Sequence, residues 1–297
     1  MRVFVTGATG FVGSAVVQEL LQAGHQVLGL ARSAASASAL TTLGISVHRG
    51  GLHDAESLAA GARVCDGVIH TAFNHEWATT SREQAAETDR MVVEAMIGAL
   101  AGSSKPLIVT SGTALMSPPG RSLVEADVPP NATGRAVVEE LTIAAASRGV
   151  RASVIRLSPS VHGAGDHGFV PMLIDLARRK GVSVHIGEGE NRWPAVHRFD
   201  AARLFRLALE KAEAGTRWHA AGEEGVPMRE IASTIGEGLG LPVRSMNAEE
   251  AAAHFEWFAH FVGIDNPTSS TVTRTTLGWE PREIGLLQDM RENGYFR

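Results

Sequence analysis

Through roughly its first 160 residues the chain alternates short apolar runs with longer segments whose apolar positions recur every three or four residues. "RVFVT", "QVLGL", "ISVHR", "GVIHT", "PLIVTS" and "ASVIRL" are rich in Val, Ile and Leu, the composition of strands covered on both faces. Between them, residues 12–23, 56–60, 83–100 and 135–147 carry helical periodicity, and "ARSAASASAL" reads as a loop running into a modest helix. This alternation predicts an α/β fold, a doubly wound parallel sheet of the Rossmann type with helices on both faces. After "RLSPSVHG" the rhythm breaks, and helices at 171–179 and 201–212 are mixed with Gly-rich connectors such as "HIGEGENRWP". The expected organisation is a Rossmann domain over 1–160 and a smaller, mostly helical C-terminal part over 161–297. That second part would be interleaved with the last strands of the sheet and face the substrate.

Composition narrows the partners more than the fold. With 44% hydrophobic and 20% charged residues, the 297-residue chain has the make-up of a water-soluble globular protein. A net charge of −5 without any dense Lys/Arg run argues against nucleic acid or an anionic membrane surface as partner. The single cysteine, Cys65, cannot form an internal disulfide, which suits a reducing compartment. "MRVFVTGATG" has no apolar leader, and no stretch is apolar enough to cross a bilayer, so a cytoplasmic location is expected.

The densest chemical signal is "TGATGFVG", residues 6–13, placed between the first strand and the first helix. Gly7 permits a tight turn, Gly10 lets a pyrophosphate approach the backbone, and Gly13 lets the helix lie close to the sheet. The free N–H groups of the helix start then face the phosphates. The strand–turn–helix context turns a glycine pattern into a dinucleotide site formed by Gly7, Ala8, Thr9, Gly10, Phe11, Val12 and Gly13. A site for NAD usually has a carboxylate about 20 residues further on, bonded to the ribose 2′-OH. Between Glu19 and Asp54 there is no Asp or Glu, and Arg32 and Ser33 follow the second strand, a pair suited to a 2′-phosphate. NADP(H) is therefore expected over NAD.

These segments resemble the extended and atypical branches of the short-chain dehydrogenase/reductase family, the NAD-dependent epimerase/dehydratase type. "TGATGFVG" is similar to its TGxxGxxG. "VIHTA" resembles the fourth-strand segment beside the cofactor, "LIVTSGTALM" the fifth strand with its catalytic Ser/Thr, "RLSPSVHGAGD" the segment beside the nicotinamide, and "TRTTLGWEP" the closing segment. The resemblance implies further cofactor contacts at Leu52, at Thr71, Ala72 and Phe73, and at Pro159, Ser160 and Val161. It also implies a homodimer formed through the helices at 83–100 and 135–147.

The chemistry of that family rests on a Tyr-x-x-x-Lys pair after the fifth strand, the phenol moving a proton and the lysine holding the nicotinamide ribose. Here the only tyrosine is Tyr295 and the lysines are Lys105, Lys180 and Lys211. In "NATGRAVVEEL", aligning Glu139 with the acidic residue that follows the pair puts Asn131 at the tyrosine position and Arg135 at the lysine position. Aligning Glu140 instead puts Ala132 and Ala136 there. Arg135 can hold the ribose but cannot shuttle a proton.

Substitutes for the acid come from several places. Ser111 and Thr113 flank Gly112 where the family keeps its catalytic hydroxyl, and they either orient a carbonyl or cap the strand end. His75, His162 and His167 follow strand ends where ligands bind in open sheets, and His75 is the foremost candidate. The histidine pairs 48/53, 70/75 and 162/167 share a spacing of five, which does not match a helical zinc pair, so no metal is expected. Arg192, Trp193 and His197 belong to the region where the family closes over its substrate. "HFEWFAHF" forms either a core stripe or a lid over an apolar substrate.

Two functions follow. One is an NADP(H)-dependent reductase of a small, largely apolar carbonyl compound, with a non-standard proton donor. The other is a catalytically silent NADP-binding sensor or scaffold. Nucleotide-sugar epimerase chemistry leans on the missing tyrosine and fits less well.

Overall fold

The computed structural model describes residues 1–75, 80–129 and 133–297. Strand β1 (Arg2–Thr6) leads through the glycine turn into α1 (Phe11–Gln22), followed by β2 (Gln26–Ala31), α2 (Ala34–Thr42), β3 (Ser46–Arg49), α3 (Ala55–Arg63) and β4 (Gly67–His70). Next come α4 (Arg82–Leu100), β5 (Pro106–Gly112), α5 (Arg135–Ala144) and β6 (Arg151–Leu157). The chain continues with β7 (Ser160–His162), α6 (Phe169–Lys180), β8 (Ser183–Ile186), β9 (Arg192–His197), α7 (Arg198–Lys211) and β10 (Thr216–Ala220). It ends with β11 (Glu223–Pro227), α8 (Met228–Leu239), β12 (Val243–Met246), α9 (Ala248–Phe255), α10 (Ala259–Val262), α11 (Thr271–Leu277) and α12 (Leu286–Glu292).

Seven parallel strands form the central sheet in the order β3-β2-β1-β4-β5-β6-β10. Each face is covered because the inner strands are apolar on both sides. Val5, Ile69, Ile108 and Ile155 meet Ala15, Val16, Leu204 and Phe205 of α1 and α7. On the other face Phe4, Val68, Leu107 and Val109 meet Leu58, Val92, Met96 and Val138 of α3, α4 and α5. From β1 the sheet grows outward through β2 on one side and through β4 on the other. The carboxyl ends of β1 and β4 thus flank the crevice in which such sheets bind ligands.

Beyond β6 the structure is mostly helical, with short strands set among the helices. It contains two small sheets, β11-β9-β7 and β12-β8, and the connector "HIGEGENRWP" supplies the end of β8 and the start of β9. Strand β9 carries Pro194 at the centre of its sheet, a position proline normally avoids because it cannot donate to the ladder. A register shift between Glu223 and Val226, opposite Ala195 and Trp193, opens the pairing at that point. The aromatic stretch is broken as well. Helix α9 stops at Phe255, and Glu256 takes a left-handed φ of 53°. Phe255 and Phe258 are buried with Trp193 in the third core, whereas Trp257 is 57% exposed.

No described helix is long and apolar enough to cross a membrane. One buried ion cluster ties the sheet to α5. Glu139 accepts hydrogen bonds from Arg156 and Arg217, and Arg156 Nη1 lies 3.2 Å from Nε2 of the buried His219 on β10. His219 Nδ1 donates to the Ser269 carbonyl at 2.8 Å. Burial pulls the His219 pKa down to about 4, against the upward pull of that carbonyl and of Glu125. The unfolded chain binds this proton at an ordinary value near 6.5. The contribution of neutral His219 to stability is therefore full above about 6.5 and is lost as the pH falls toward about 4. Melting temperatures measured across that interval should fall by several degrees, with a smaller slope in His219→Gln.

Candidate active site

The glycine turn is built as a cradle. Gly7 adopts φ 68°, its carbonyl accepts the Gly10 N–H at 2.8 Å, and Gly10 caps α1 without any side-chain hydrogen bond. The first N–H groups of α1, at Phe11, Val12 and Gly13, thus keep their positive ends for a ligand. A Cβ on Gly13 would lie 2.0 Å from the Gly7 carbonyl oxygen, and one on Gly7 would lie 2.8 Å from the Ala72 nitrogen and from Thr71 Oγ1. The bare backbone at these positions is what lets the turn, the helix and the end of β4 meet. Ala8 is buried, Thr9 is exposed, and Val12 packs against the core beneath.

A buried polar chain supports the turn from below. Thr71 Oγ1 donates to the Thr6 carbonyl at 2.8 Å, and the Ala72 N–H donates to Thr6 Oγ1 at 3.3 Å. Thr6 Oγ1 lies 2.7 Å from His70 Nδ1, and His70 Nε2–H donates to Asp89 Oδ1 at 2.9 Å. The other carboxylate oxygen, Asp89 Oδ2, is buried without a hydrogen-bond partner among the described residues. Sequence reasoning missed Thr6, His70 and Asp89 as a unit, because α4 delivers Asp89 from a distant stretch with no motif of its own.

At the next edge of the crevice Arg135, the first residue of α5, donates to the Thr110 carbonyl at 2.9 Å and lies 4.2 Å above the Phe73 ring. Its Nε is buried without a partner among the described residues. His75 is 5.1 Å from Phe73, ring to ring. Burial first, then the charges of Arg135 and His167, hold its pKa below the usual histidine range. The structure therefore gathers Arg135, Phe73 and His75 into one cluster, with His167 close enough to act on it. Asn131, expected at the tyrosine position, lies outside the described residues.

Ser111 and Thr113 are both buried and engaged. Ser111 Oγ donates to Glu139 Oε2 at 2.9 Å. Burial raises the Glu139 pKa, but Arg156, Arg217 and Ser111 outweigh it and leave the carboxyl below the usual range, so it is ionised. With its proton committed to a carboxylate, Ser111 has only lone pairs to offer a ligand. Thr113 Oγ1 donates to Asn266 Oδ1 at 2.7 Å, and the Asn266 amide returns bonds to the carbonyls of Thr113 and Met116. Thr113 is thus a clasp between β5 and the C-terminal segment.

Arg32 follows β2, and Ser33 caps α2 by accepting the Ser36 N–H at 3.1 Å. Arg49, at the end of the neighbouring β3, donates to the Ser33 carbonyl at 2.7 Å, which brings a second guanidinium to that corner. Leu52 packs under the same edge against the core of α3 and α4. Pro159 links β6 to β7. Ser160 pairs with Ala195, its hydroxyl buried without a partner among the described residues, and Val161 packs on the core. Of the three residues assigned to substrate closure, Arg192 pairs with Asp265, Trp193 is only 1% exposed, and the His197 ring accepts the Phe199 N–H at the start of α7.

The loop after β7 closes the far side. His162 bonds to Asp289 at 2.9 Å, both buried, and Tyr295 OH reaches Asp166 at 3.0 Å. His167 meets the Phe11 ring edge-on at 5.6 Å, and Arg198 lies 5.2 Å above the same ring. Arg198 was overlooked in the sequence although its neighbours in "ENRWPAVHRFDAARLF" were singled out.

The model of the NAD dependent epimerase/dehydratase family matches residues 3–221. The chain belongs to this family. The match runs from β1 through β10 and so includes the glycine turn, the Arg135 cluster and Arg198. Among curated relatives, an uncharacterized protein of Schizosaccharomyces pombe is 50% identical over 297 residues, 100% of each chain. The 2-alkyl-3-oxoalkanoate reductase of Stenotrophomonas maltophilia is 28% identical over 262 residues, 82% of this chain and 77% of its own. The solved UDP-glucose 4-epimerase of Thermus thermophilus, in complex with NAD, shares the fold with a TM-score of 0.76 at 21% identity, over 100% of this chain and 99% of that one.

Proposed function

We propose that the chain is an NADP(H)-dependent oxidoreductase that reduces a small carbonyl compound, with His75 as proton donor in place of the family's tyrosine. The observation that carries this reading is the cluster of Arg135, Phe73 and His75 beside a glycine turn whose helix N–H groups are left uncapped. The bare cradle at Gly7 and Gly13 and the unpartnered Ser160 hydroxyl fit a dinucleotide. When bound, the nicotinamide supplies the hydride. Arg135 anchors the ribose and places fixed positive charge where an alkoxide develops. His75 delivers the proton. Membership of the family and the relative named a reductase support oxidoreductase chemistry. The pairing of Arg192 with Asp265 and the burial of Trp193 leave little there for a nucleotide-sugar diphosphate. The reading includes a homodimer through α4 and α5, a cytoplasmic location, and no nucleic-acid, membrane or metal partner.

A second reading, an NADP-binding sensor or scaffold without turnover, is favoured by the engagement of the Ser111 and Thr113 hydroxyls in structural bonds. One experiment separates the two, namely titration with NADPH followed by assay of NADPH oxidation over a panel of small aldehydes and ketones. Binding with oxidation supports the reductase, binding alone supports the sensor, and no binding removes both. The choice of NADP rests on Arg32. Arg32→Ser should weaken NADPH binding by roughly ten- to a hundredfold, the value of a charge-assisted contact, and leave NADH nearly unchanged. Equal loss for both coenzymes would assign Arg32 a structural part instead.

A further inference from the structure

Arg198 is a half-buried guanidinium that meets no counter-charge among the described residues. Its Nε is buried without a hydrogen-bond partner there, and its described contacts are the rings of Phe11 at 5.2 Å and Phe199 at 4.8 Å. The acids on surrounding elements are already taken. Asp200 binds Arg203 and the N–H groups of Arg282 and Glu283, Asp289 binds His162 and Asn293, and Asp166 binds the Gly168 N–H and Tyr295. The other titratable neighbours are His162, His167 and His197, which add positive charge when protonated and never negative. Leaving such a cation half-buried and unpaired is costly unless an anion completes the site.

The stem is held in place. Gly163 has φ 134°, and a Cβ there would lie 3.0 Å from His197 Nε2 and 3.2 to 3.3 Å from Arg198 Cγ and Cδ. The loop backbone therefore lies directly on the arginine, which aims the guanidinium at Phe11 with few rotamers left to lose. Phe11 is the first residue of α1, and its own N–H is among those left uncapped.

We propose that Arg198 is the counter-charge for the pyrophosphate of the bound dinucleotide, reaching it from α7 on the side opposite the glycine turn. The inference rests on the cofactor reading above and adds that the C-terminal half grips the same group. A diphosphate is favoured over a substrate carboxylate because the guanidinium converges with the α1 N–H groups, whereas the proposed reacting carbonyl is placed at Arg135 and His75.

The test is titration of wild type, Arg198→Gln and Arg198→Lys with NADPH and with reduced nicotinamide riboside, which carries no phosphate. Arg198→Gln should raise the NADPH Kd by roughly ten- to a hundredfold with a shallower salt dependence, and Arg198→Lys should fall between. Riboside binding should stay unchanged. If Arg198→Gln fails to fold, the Lys variant still decides, because it keeps the charge and loses only the fork. An unchanged NADPH Kd overturns the proposal. So does an unchanged Kd combined with a raised KM for a carboxylated carbonyl compound but not for its methyl ester, which would assign the anion to the substrate. Wild type that binds no NADPH at all overturns the cofactor reading itself.

Discussion

Gly13→Ala should abolish dinucleotide binding, raising the NADPH Kd by roughly a hundredfold or more, the cost of losing several charge-assisted contacts together. The added methyl would sit 2.0 Å from the Gly7 carbonyl oxygen and 2.7 Å from its carbon, and backbone does not yield as a flexible side chain does. Relief requires α1 to move off the turn. That movement breaks the Gly10 to Gly7 hydrogen bond at 2.8 Å and misaligns the N–H groups that face the phosphates. The same displacement disturbs Thr71, whose Oγ1 is 2.9 Å from the added carbon and which anchors the chain through Thr6 and His70 to Asp89. An overpacking cost of about 1 to 3 kcal/mol should lower the melting temperature by several degrees. Gly24→Ala is the matching control, since Gly24 ends α1 with φ 79° and open space around it. It should lose about 1 to 2 kcal/mol through left-handed strain and still bind NADPH normally. Calorimetric titration with melting curves measures both. A Gly13→Ala protein that binds NADPH like wild type would remove the cradle from the account.

Strands β1, β2, β4, β5 and β6 were legible because they are covered on both faces and read as apolar runs, whereas edge strand β3 is only partly covered and β10, "TRWHA", carries no such run and was missed. All six strand expectations fall within a residue or so of β1 to β6. What followed β6 was harder for a physical reason. Strands β7 (SVH), β8 (SVHI), β11 (EEGVP) and β12 (VRSM) are short and broken by polar residues, so no apolar run marks them, and β9 carries a proline that speaks against a central strand. Only the bulge opposite Pro194, a tertiary feature, makes that placement possible. Helix α11, "TVTRTTL", is rich in β-branched residues and is held by burial of Thr273 and Leu277 rather than by propensity.

The site divides in the same way. The turn announced itself because phosphate binding by backbone needs glycines at fixed spacing. The support beneath it did not, since a lone His70 and a lone Asp89 carry no pattern until α4 packs beside β4. Ser111 could be located from sequence, but its hydrogen-bonding role could not. That role depends on Glu139 remaining ionised, and Glu139 remains ionised because Arg156 and Arg217 reach it from β6 and β10.

The commitment of the Ser111 proton leads to the second large effect. If Ser111 can only accept and Arg135 cannot deprotonate, the proton for a nascent alkoxide must come from His75 among the described residues of this cluster. His75→Asn keeps a hydrogen-bond donor but removes the titrating proton, so kcat should fall by about a hundred- to a thousandfold with little change in KM or in NADPH affinity. The pH profile makes the assignment sharper. Burial, then Arg135 and His167, hold the His75 pKa below its ordinary value of 6.5, so the proton-bearing form prevails only at acid pH. Reduction should therefore be fastest on the acid side, with kcat/KM falling as the pH rises through a midpoint below 6.5. In His75→Asn that descent should flatten. His167→Ala removes one of the charges that depress the pKa, so the midpoint should move upward while the maximal rate stays close to wild type. A His75→Asn enzyme with wild-type kcat and an unaltered profile would transfer the proton-donating role to another group.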